Sequence, residues 1–277
     1  MKNNLHQYSL SHPAEAKRLT QQSKNEAYLL SRELELLGFD WHEGEVVIDA
    51  GCGSGVLLLE MLTKHSVKVE NLWGIDGNLN LVQETQKRFN SFSRSAPSIV
   101  HGDLKSSLVS QGLPGAHHLF CRYVLQHNVS LNDQYRIIQN LYQSLEKQGV
   151  LYIIDVSGFF SQMWFADNRM QSIFRELQSK FPVDFDVGLK IHAHLSQMGI
   201  KSNQINCQLW PFPFLNLEQK RQEAELWEQR ITQTEPILKT LLSEFDQTYL
   251  RRNFCHEFLK ESTTFAPTKY LFKITKK

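Results

Sequence analysis

Glycine is absent after Gly199, although the chain runs to residue 277 and carries 14 glycines in all. The back of the chain therefore lacks the residue that turns most cheaply at positive φ, which excludes a glycine-built ligand loop there. Cysteine is scarce as well. Cys52, Cys121, Cys207 and Cys255 are scattered with no CxxC pair, which argues against a disulfide framework and a zinc ribbon. No metal ligand set is expected. No stretch approaches the ~18 apolar residues of a membrane helix. The first residues also lack the ~7–15-residue apolar segment of a secretory signal, with Lys17, Arg18 and Lys24 set among glutamines and serines. The expectation is a cytoplasmic protein with no membrane span. Charge of one sign is missing too: 30 Lys and Arg balance 29 Asp and Glu. The basic surface that general nucleic-acid binding needs is not indicated, and no nucleic-acid partner is expected.

What is present is unevenly placed. The 277 residues suit one large domain or two small ones. Of the 17 phenylalanines, 13 follow Gly158. The front half is turn-rich and the back half is rich in large apolar side chains. No internal repeat or linker is visible, so the back reads as elements packed onto the same domain.

Residues 13–37 read as one amphipathic helix, with Pro13 in its first turn, Leu19, Ala27, Leu30, Leu34 and Leu37 as its stripe, and Gly38 as its stop. From residue 45, short apolar runs alternate with helical stretches. Strands are expected at 45–49, 69–75, 98–101, 118–121 and 150–155. Helices are expected at 56–62, 79–89 and 130–145, the last opened by Ser130 and Asp133, with Leu131, Tyr135, Ile138, Leu141 and Leu145 as its stripe. This alternation indicates parallel βαβ units in a sheet covered on both faces. Beyond Gly158 the pattern predicts an aromatic helical segment at 159–181, a helix at 188–198 and a strand at 203–209. A long helix at 217–250 follows, striped by Ala224, Trp227, Ile231, Leu238, Leu241, Phe245 and Tyr249 and broken at Pro236. Residues 270–274 read as a final strand.

The strongest signal is Val46-Val-Ile-Asp-Ala-Gly-Cys-Gly-Ser-Gly55: a strand, three glycines at alternate positions, then a helix. Such a loop lies at the carboxyl end of a strand, where open α/β sheets bind ligands. Asp76 ends the second strand, where an acidic side chain can accept from both hydroxyls of a ribose. Gly102-Asp103-Leu104 follows the third. There a carboxylate can accept from an exocyclic amine while an apolar side chain packs on a base; an ordinary helix cap is the lesser alternative for Asp103.

Asp49-x-Gly51-x-Gly53-x-Gly55, followed by Asp76 and Asp103, resembles the class I S-adenosylmethionine-dependent methyltransferases, over about residues 40–156 most closely. The resemblance implies an α/β, Rossmann-like, doubly wound seven-stranded sheet in the order 3-2-1-4-5-7-6, with strand 7 antiparallel and helical cap insertions. Residues 1–38 would form a helical lid, residues 39–157 the cofactor-binding core, and residues 158–277 strands 6 and 7 with the substrate cap. The cofactor would be S-adenosylmethionine, leaving as S-adenosylhomocysteine. Asp49, Gly51, Cys52 and Gly53 would lie by its methionine part, Asp76 and Gly77 by the ribose, and Asp103 and Leu104 by the adenine. Arg122, in the segment 121–127 after strand 4, would also meet the cofactor, and Gln126 would face the substrate. Tyr8, Glu15, Arg18, Leu19 and Gln22 resemble the lid of small-molecule members.

The acceptor is narrowed by what this chain lacks. Cys121-Arg122-Tyr123-Val124 stands where amino-nitrogen methylating relatives of nucleic acid and protein have an Asn/Asp-Pro-Pro-aromatic run. Residues 122–130 lack the paired glutamates of arginine methylation, and no tryptophan sits in the glycine loop as in cyclopropane-forming relatives. Asp155 and Asp167-Asn168 match a metal-assisted catechol site poorly. Trp164 and Trp210 are candidate substrate-lining residues, with Phe159, Phe160, Phe165, Phe212 and Phe214 around them; they are equally readable as core. For an oxygen acceptor, His127 is the first candidate for a general base, ahead of His192 and His194. The reading is methyl transfer to a small, apolar or aromatic acceptor. A protein or RNA acceptor, a non-catalytic cofactor-binding module, and a nicotinamide oxidoreductase stay open as alternatives, the last disfavoured by the loop spacing.

Overall fold

The computed structural model describes residues 14–92 and 96–277. Its first elements are α1 (Glu15–Gln22), a 3-10 turn (Glu26–Tyr28) and α2 (Leu30–Leu37). The single helix expected over 13–37 is therefore divided. Asn25 adopts an extended backbone and its side chain accepts from the Ala27 N–H, a local hydrogen bond that competes with helix continuation. Gly38 closes α2 in the left-handed conformation, as its position suggested. Pro13 and Tyr8 lie outside the described residues.

The core follows as β1 (Val47–Ala50), α3 (Val56–Lys64), β2 (Leu72–Asp76), α4 (Leu79–Phe92), β3 (Ser98–His101), β4 (Ala116–Arg122), α5 (Leu131–Gln143) and β5 (Leu145–Ser157). All of β1 is buried, as are residues 151–157 of β5. Alternate side chains serve opposite faces. Ile48, Leu119 and Ile153 pack with Ile138 of α5, while Val47, Phe120 and Ile154 pack with Leu34 of α2 and Leu58 of α3. The buried face of α5 is Gln134, Ile137, Ile138 and Leu141. Leu131, expected in that stripe, is exposed at the first helical position, and Leu145, expected to end the stripe, opens β5 instead.

After β5 come α6 (Asn168–Lys180), α7 (Gly188–Gln197), β6 (Ile205–Pro211), α8 (Leu217–Gln233), α9 (Glu235–Leu241), α10 (Glu244–Phe258) and β7 (Thr268–Thr275). The stretch expected as a single helix over 159–181 is helical only from Asn168. Before it, Met163–Trp164 pairs antiparallel with Thr264–Phe265. The 217–250 stretch is three helices. Pro236 falls in the first turn of α9, where its missing N–H costs nothing, and Ser243 caps α10 by accepting from the Asp246 N–H. This second break turns Phe245 outward and gives α10 a buried face of Leu250, Phe254 and Phe258.

The sheet order is β3-β2-β1-β4-β5-β7-β6. The pairings β3-β2, β2-β1, β1-β4 and β4-β5 are parallel, while β7 is antiparallel to both β5 and β6. This is the doubly wound seven-stranded arrangement expected, with its penultimate strand reversed. The aromatic side chains of 159–165, α6, α8 and α10 form a separate apolar cluster above the carboxyl ends of β4 and β5. Among the described residues, no helix is long and apolar enough to cross a membrane.

Candidate active site

The glycine loop joins β1 to α3. Gly51, Gly53 and Gly55 all have positive φ, at 81°, 51° and 72°. Packing adds a second constraint: a Cβ on Gly51 would stand 2.2 Å from Val124 Cγ2, and one on Gly55 2.6 Å from Thr85 Cγ2. The loop is held by the Gly51 N–H, which donates to the Ile75 carbonyl at 2.7 Å. Arg88 of α4 donates to the Ser54 carbonyl at 2.8 Å and to Thr20 Oγ1 of α1 at 2.9 Å, tying α1 to the loop.

Above this loop lies a cavity of about 980 Å³, at the upper end of the ~300–1,000 Å³ usual for ligand sites. Asp49, Gly51, Cys52, Gly53, Asp76, Gly77, Asp103, Leu104, Arg122, Gln126 and His127 all line it. The Asp49 carboxyl is 3% exposed and has no hydrogen-bond partner among the described residues. Burial, partly opposed by Arg122 and reinforced by Asp76, pushes it up to about 7. Asp76 accepts the Gly53 N–H on one oxygen and the Asn78 N–H on the other, each at 2.8 Å. Burial raises its pKa against those two hydrogen bonds. Each oxygen keeps a lone pair for a ligand hydroxyl. Asp103 accepts the Lys105 N–H in a local turn at 2.9 Å, and its backbone is bracketed by the Gln111 amide. Leu104 beside it is buried.

Arg122 is less available than expected. Its Nε donates to Glu33 and its Nη2 to the Tyr28 carbonyl at 2.9 Å. The Gln126 side chain donates to the Tyr123 carbonyl at 3.2 Å, and its N–H donates to the buried Asp155 carboxyl at 3.2 Å. Burial holds the Cys52 thiol protonated, well above its usual range, so it supplies no nucleophile. His127 sits on the 3-10 turn after β4. His192 is exposed, and His194 bonds Gln134 in the core; neither lines the cavity.

The two tryptophans expected at the substrate end are not there. Trp164 is 54% exposed on its short ladder and Trp210 lies on β6 with its ring 4.1 Å from Lys269 Nζ; both fall outside the cavity lining. Phe165, Phe212 and Phe214 are buried in the cap interior away from it. Phe159 and Phe160 do line it, joined by Phe174 of α6, Phe181 and Phe185 beyond it, and Trp227 of α8. Arg230 and Gln233, one and two turns beyond Trp227, also line this end. Sequence reasoning missed both. The signal lay in α8 itself, where polar side chains at 230 and 233 fall beside the apolar stripe. Among the described residues, no group of metal-ligating side chains clusters.

A methyltransferase-domain family model matches residues 22–185, more than half of the chain. Carboxy-S-adenosyl-L-methionine synthase of Wolinella succinogenes is 28% identical over 109 residues, covering 39% of this chain and 43% of that relative. The chain thus aligns with less than half of that relative's length. Among solved structures, the cyclopropane synthase MmaA2 of Mycobacterium tuberculosis has a TM-score of 0.55 at 11% identity, covering 88% of this chain and 83% of that one. Phosphoethanolamine N-methyltransferase 2 of Haemonchus contortus has a TM-score of 0.55 at 14% identity, covering 90% and 53%. At these identities the structures share the fold. With the sheet order, the glycine loop and the family match together, the chain belongs to the class I S-adenosylmethionine-dependent methyltransferases.

Proposed function

We propose that the protein binds S-adenosylmethionine at the glycine loop and transfers its methyl group to a small, apolar or aromatic acceptor beneath the cap. The observation that carries this reading is one cavity with two chemically different ends: carboxylates and bare backbone at the loop, aromatic rings at the cap.

The residues present fit the cofactor. The unpartnered Asp49 carboxyl suits an ammonium, the free lone pairs on Asp76 suit a ribose diol, and Leu104 with Asp103 suits an adenine. When bound, the cofactor supplies an activated methyl group for in-line displacement, so the protein's work is orientation and exclusion of water. Arg88 fixes the lid against the loop, and the ring walls keep the acceptor end dry. For an oxygen acceptor, His127 on the cavity wall is assigned as the base that takes the hydroxyl proton. The enclosed cap supports a small acceptor over a protein or RNA chain.

Calorimetric titration with S-adenosylhomocysteine and, separately, NAD tests the reading. Binding of the former, weakened about tenfold or more by Asp76→Ala, is expected; tight NAD binding without S-adenosylhomocysteine binding overturns it.

A further inference from the structure

The cap end of the cavity is a hydrocarbon box with one polar corner. Phe160, Phe174, Trp227 and Leu250 supply walls, and Phe159 and Trp227 stand 5.4 and 5.3 Å from the Arg230 guanidinium. Among the described lining residues, Arg230 is the ionised side chain that the cap helices contribute. Its Nη1 donates to Glu223 Oε1 at 3.0 Å, and its side chain keeps 21% exposure. Glu223 is fully buried and is shared: the Tyr28 hydroxyl and the Asn25 amide each approach it at 3.4 Å. The other lining arginines are committed elsewhere, Arg18 to both oxygens of Glu15 and Arg122 to Glu33.

One α-helical turn beyond Arg230, and so on the same face, lies Gln233. The residue is 5% exposed overall, and its side chain lines the cavity with no hydrogen-bond partner among the described residues. An amide that faces a cavity without a protein partner is available to hydrogen-bond a ligand. A guanidinium with spare N–H donors beside an unpaired amide N–H₂ matches an oxygen pair in one plane, and inside ring walls such a pair is strongest when it is anionic.

We propose that the acceptor is a hydrophobic carboxylic acid, anchored by its carboxylate on Arg230 and Gln233 with its hydrocarbon body against the aromatic walls. The anchor rests on the methyltransferase reading and sharpens it: a single cationic corner rejects polyanions, and apolar walls reject polar chains. The carboxylate fixes the acceptor's register and leaves the far part of the molecule to meet the cofactor end.

The full-length protein is titrated calorimetrically with S-adenosylhomocysteine and then, when saturated, with decanoate, 4-phenylbutyrate and the primary amide of each. The acids are expected to bind about tenfold or more tightly than their amides. Gln233→Leu, which disturbs no buried charge, should weaken the acids several-fold and the amides little. The double variant Glu223→Gln/Arg230→Gln removes both charges together, avoiding an unpaired buried ion, and should bring acids and amides within about twofold. S-adenosylhomocysteine affinity reports whether each variant is folded. If that ligand fails to bind the wild type, the methyltransferase reading falls and the anchor with it. If it binds but the acids do no better than the amides, fail to bind, or keep their preference in the double variant, the anchor alone is overturned.

Discussion

Lys269 Nζ lies 2.6 Å from Glu33 Oε1, and both side chains are fully buried. The pair joins β7 to α2, near the two ends of the described chain. Glu33 also accepts from Arg122 and from the Tyr123 hydroxyl, the latter at 2.6 Å. Burial alone would raise the Glu33 pKa, but Arg122 and Lys269 outweigh it and hold it below the usual carboxylate value. The Trp210 ring over Lys269 completes the enclosure. Trp210 thus buries a structural cation, which explains its absence from the cavity wall.

Lys269→Met leaves Glu33 with Arg122 as its remaining ionic partner and removes one charge-assisted hydrogen bond, so it is expected to cost about 1.5–3 kcal/mol, read as a lowered urea midpoint at unchanged m-value. The Glu33→Gln/Lys269→Met double variant should lose less than the sum of its singles; strict additivity would show that the two side chains do not act as a pair.

Gly51 faces two obstacles to substitution, its φ of 81° and the Val124 methyl 2.2 Å from a built Cβ. Gly51→Ala should destabilise by about 1–2 kcal/mol from backbone strain alone and abolish S-adenosylhomocysteine binding in calorimetry. Adding Val124→Ala removes the clash but not the strain, so only partial recovery is expected; full recovery would mean the positive φ is immaterial.

Asp49 gives stability a pH dependence with a definite sign. Its carboxyl titrates near 7 in the folded chain against 3.8 as its ordinary value. Between those values the folded state holds a proton that the unfolded state has released, so this residue's contribution falls as pH rises from about 4 to 7. Relative to wild type, Asp49→Asn should therefore gain thermal stability progressively from pH 4 to pH 8. A difference in Tm that stays flat across that range would refute the buried, unpartnered carboxyl.

Trp164 and Phe174 should separate cleanly. Trp164→Ala, at a 54% exposed site, is expected to stay within about 0.5 kcal/mol of wild type. Phe174→Ala, at a 1% exposed site in the aromatic cluster, should cost about 3–5 kcal/mol, both measured by chemical denaturation. Equal effects would contradict the placement of the cap.

Much of the cofactor end was legible in the chain because its signals are local. A β-branched strand, glycines at alternate positions and a following helix specify loop geometry within ten residues, and Asp76 ends, and Asp103 closely follows, strands that the same alternation reveals. The sheet order followed from the resemblance those residues carry. Helix interruptions were less legible: the Asn25 side chain breaks the helix expected over 13–37 through one hydrogen bond from the Ala27 N–H, a choice that helical periodicity does not register. The aromatic wall of the cavity belongs to tertiary structure alone. Phe174, Trp227 and Leu250 come from three helices, and an apolar stripe looks the same whether it faces a core or a cavity. Only packing decided that Trp164 faces solvent, that Trp210 covers Lys269, and that Arg230 and Gln233 line the cavity, because burial is a property of neighbours brought together across long separations in the chain.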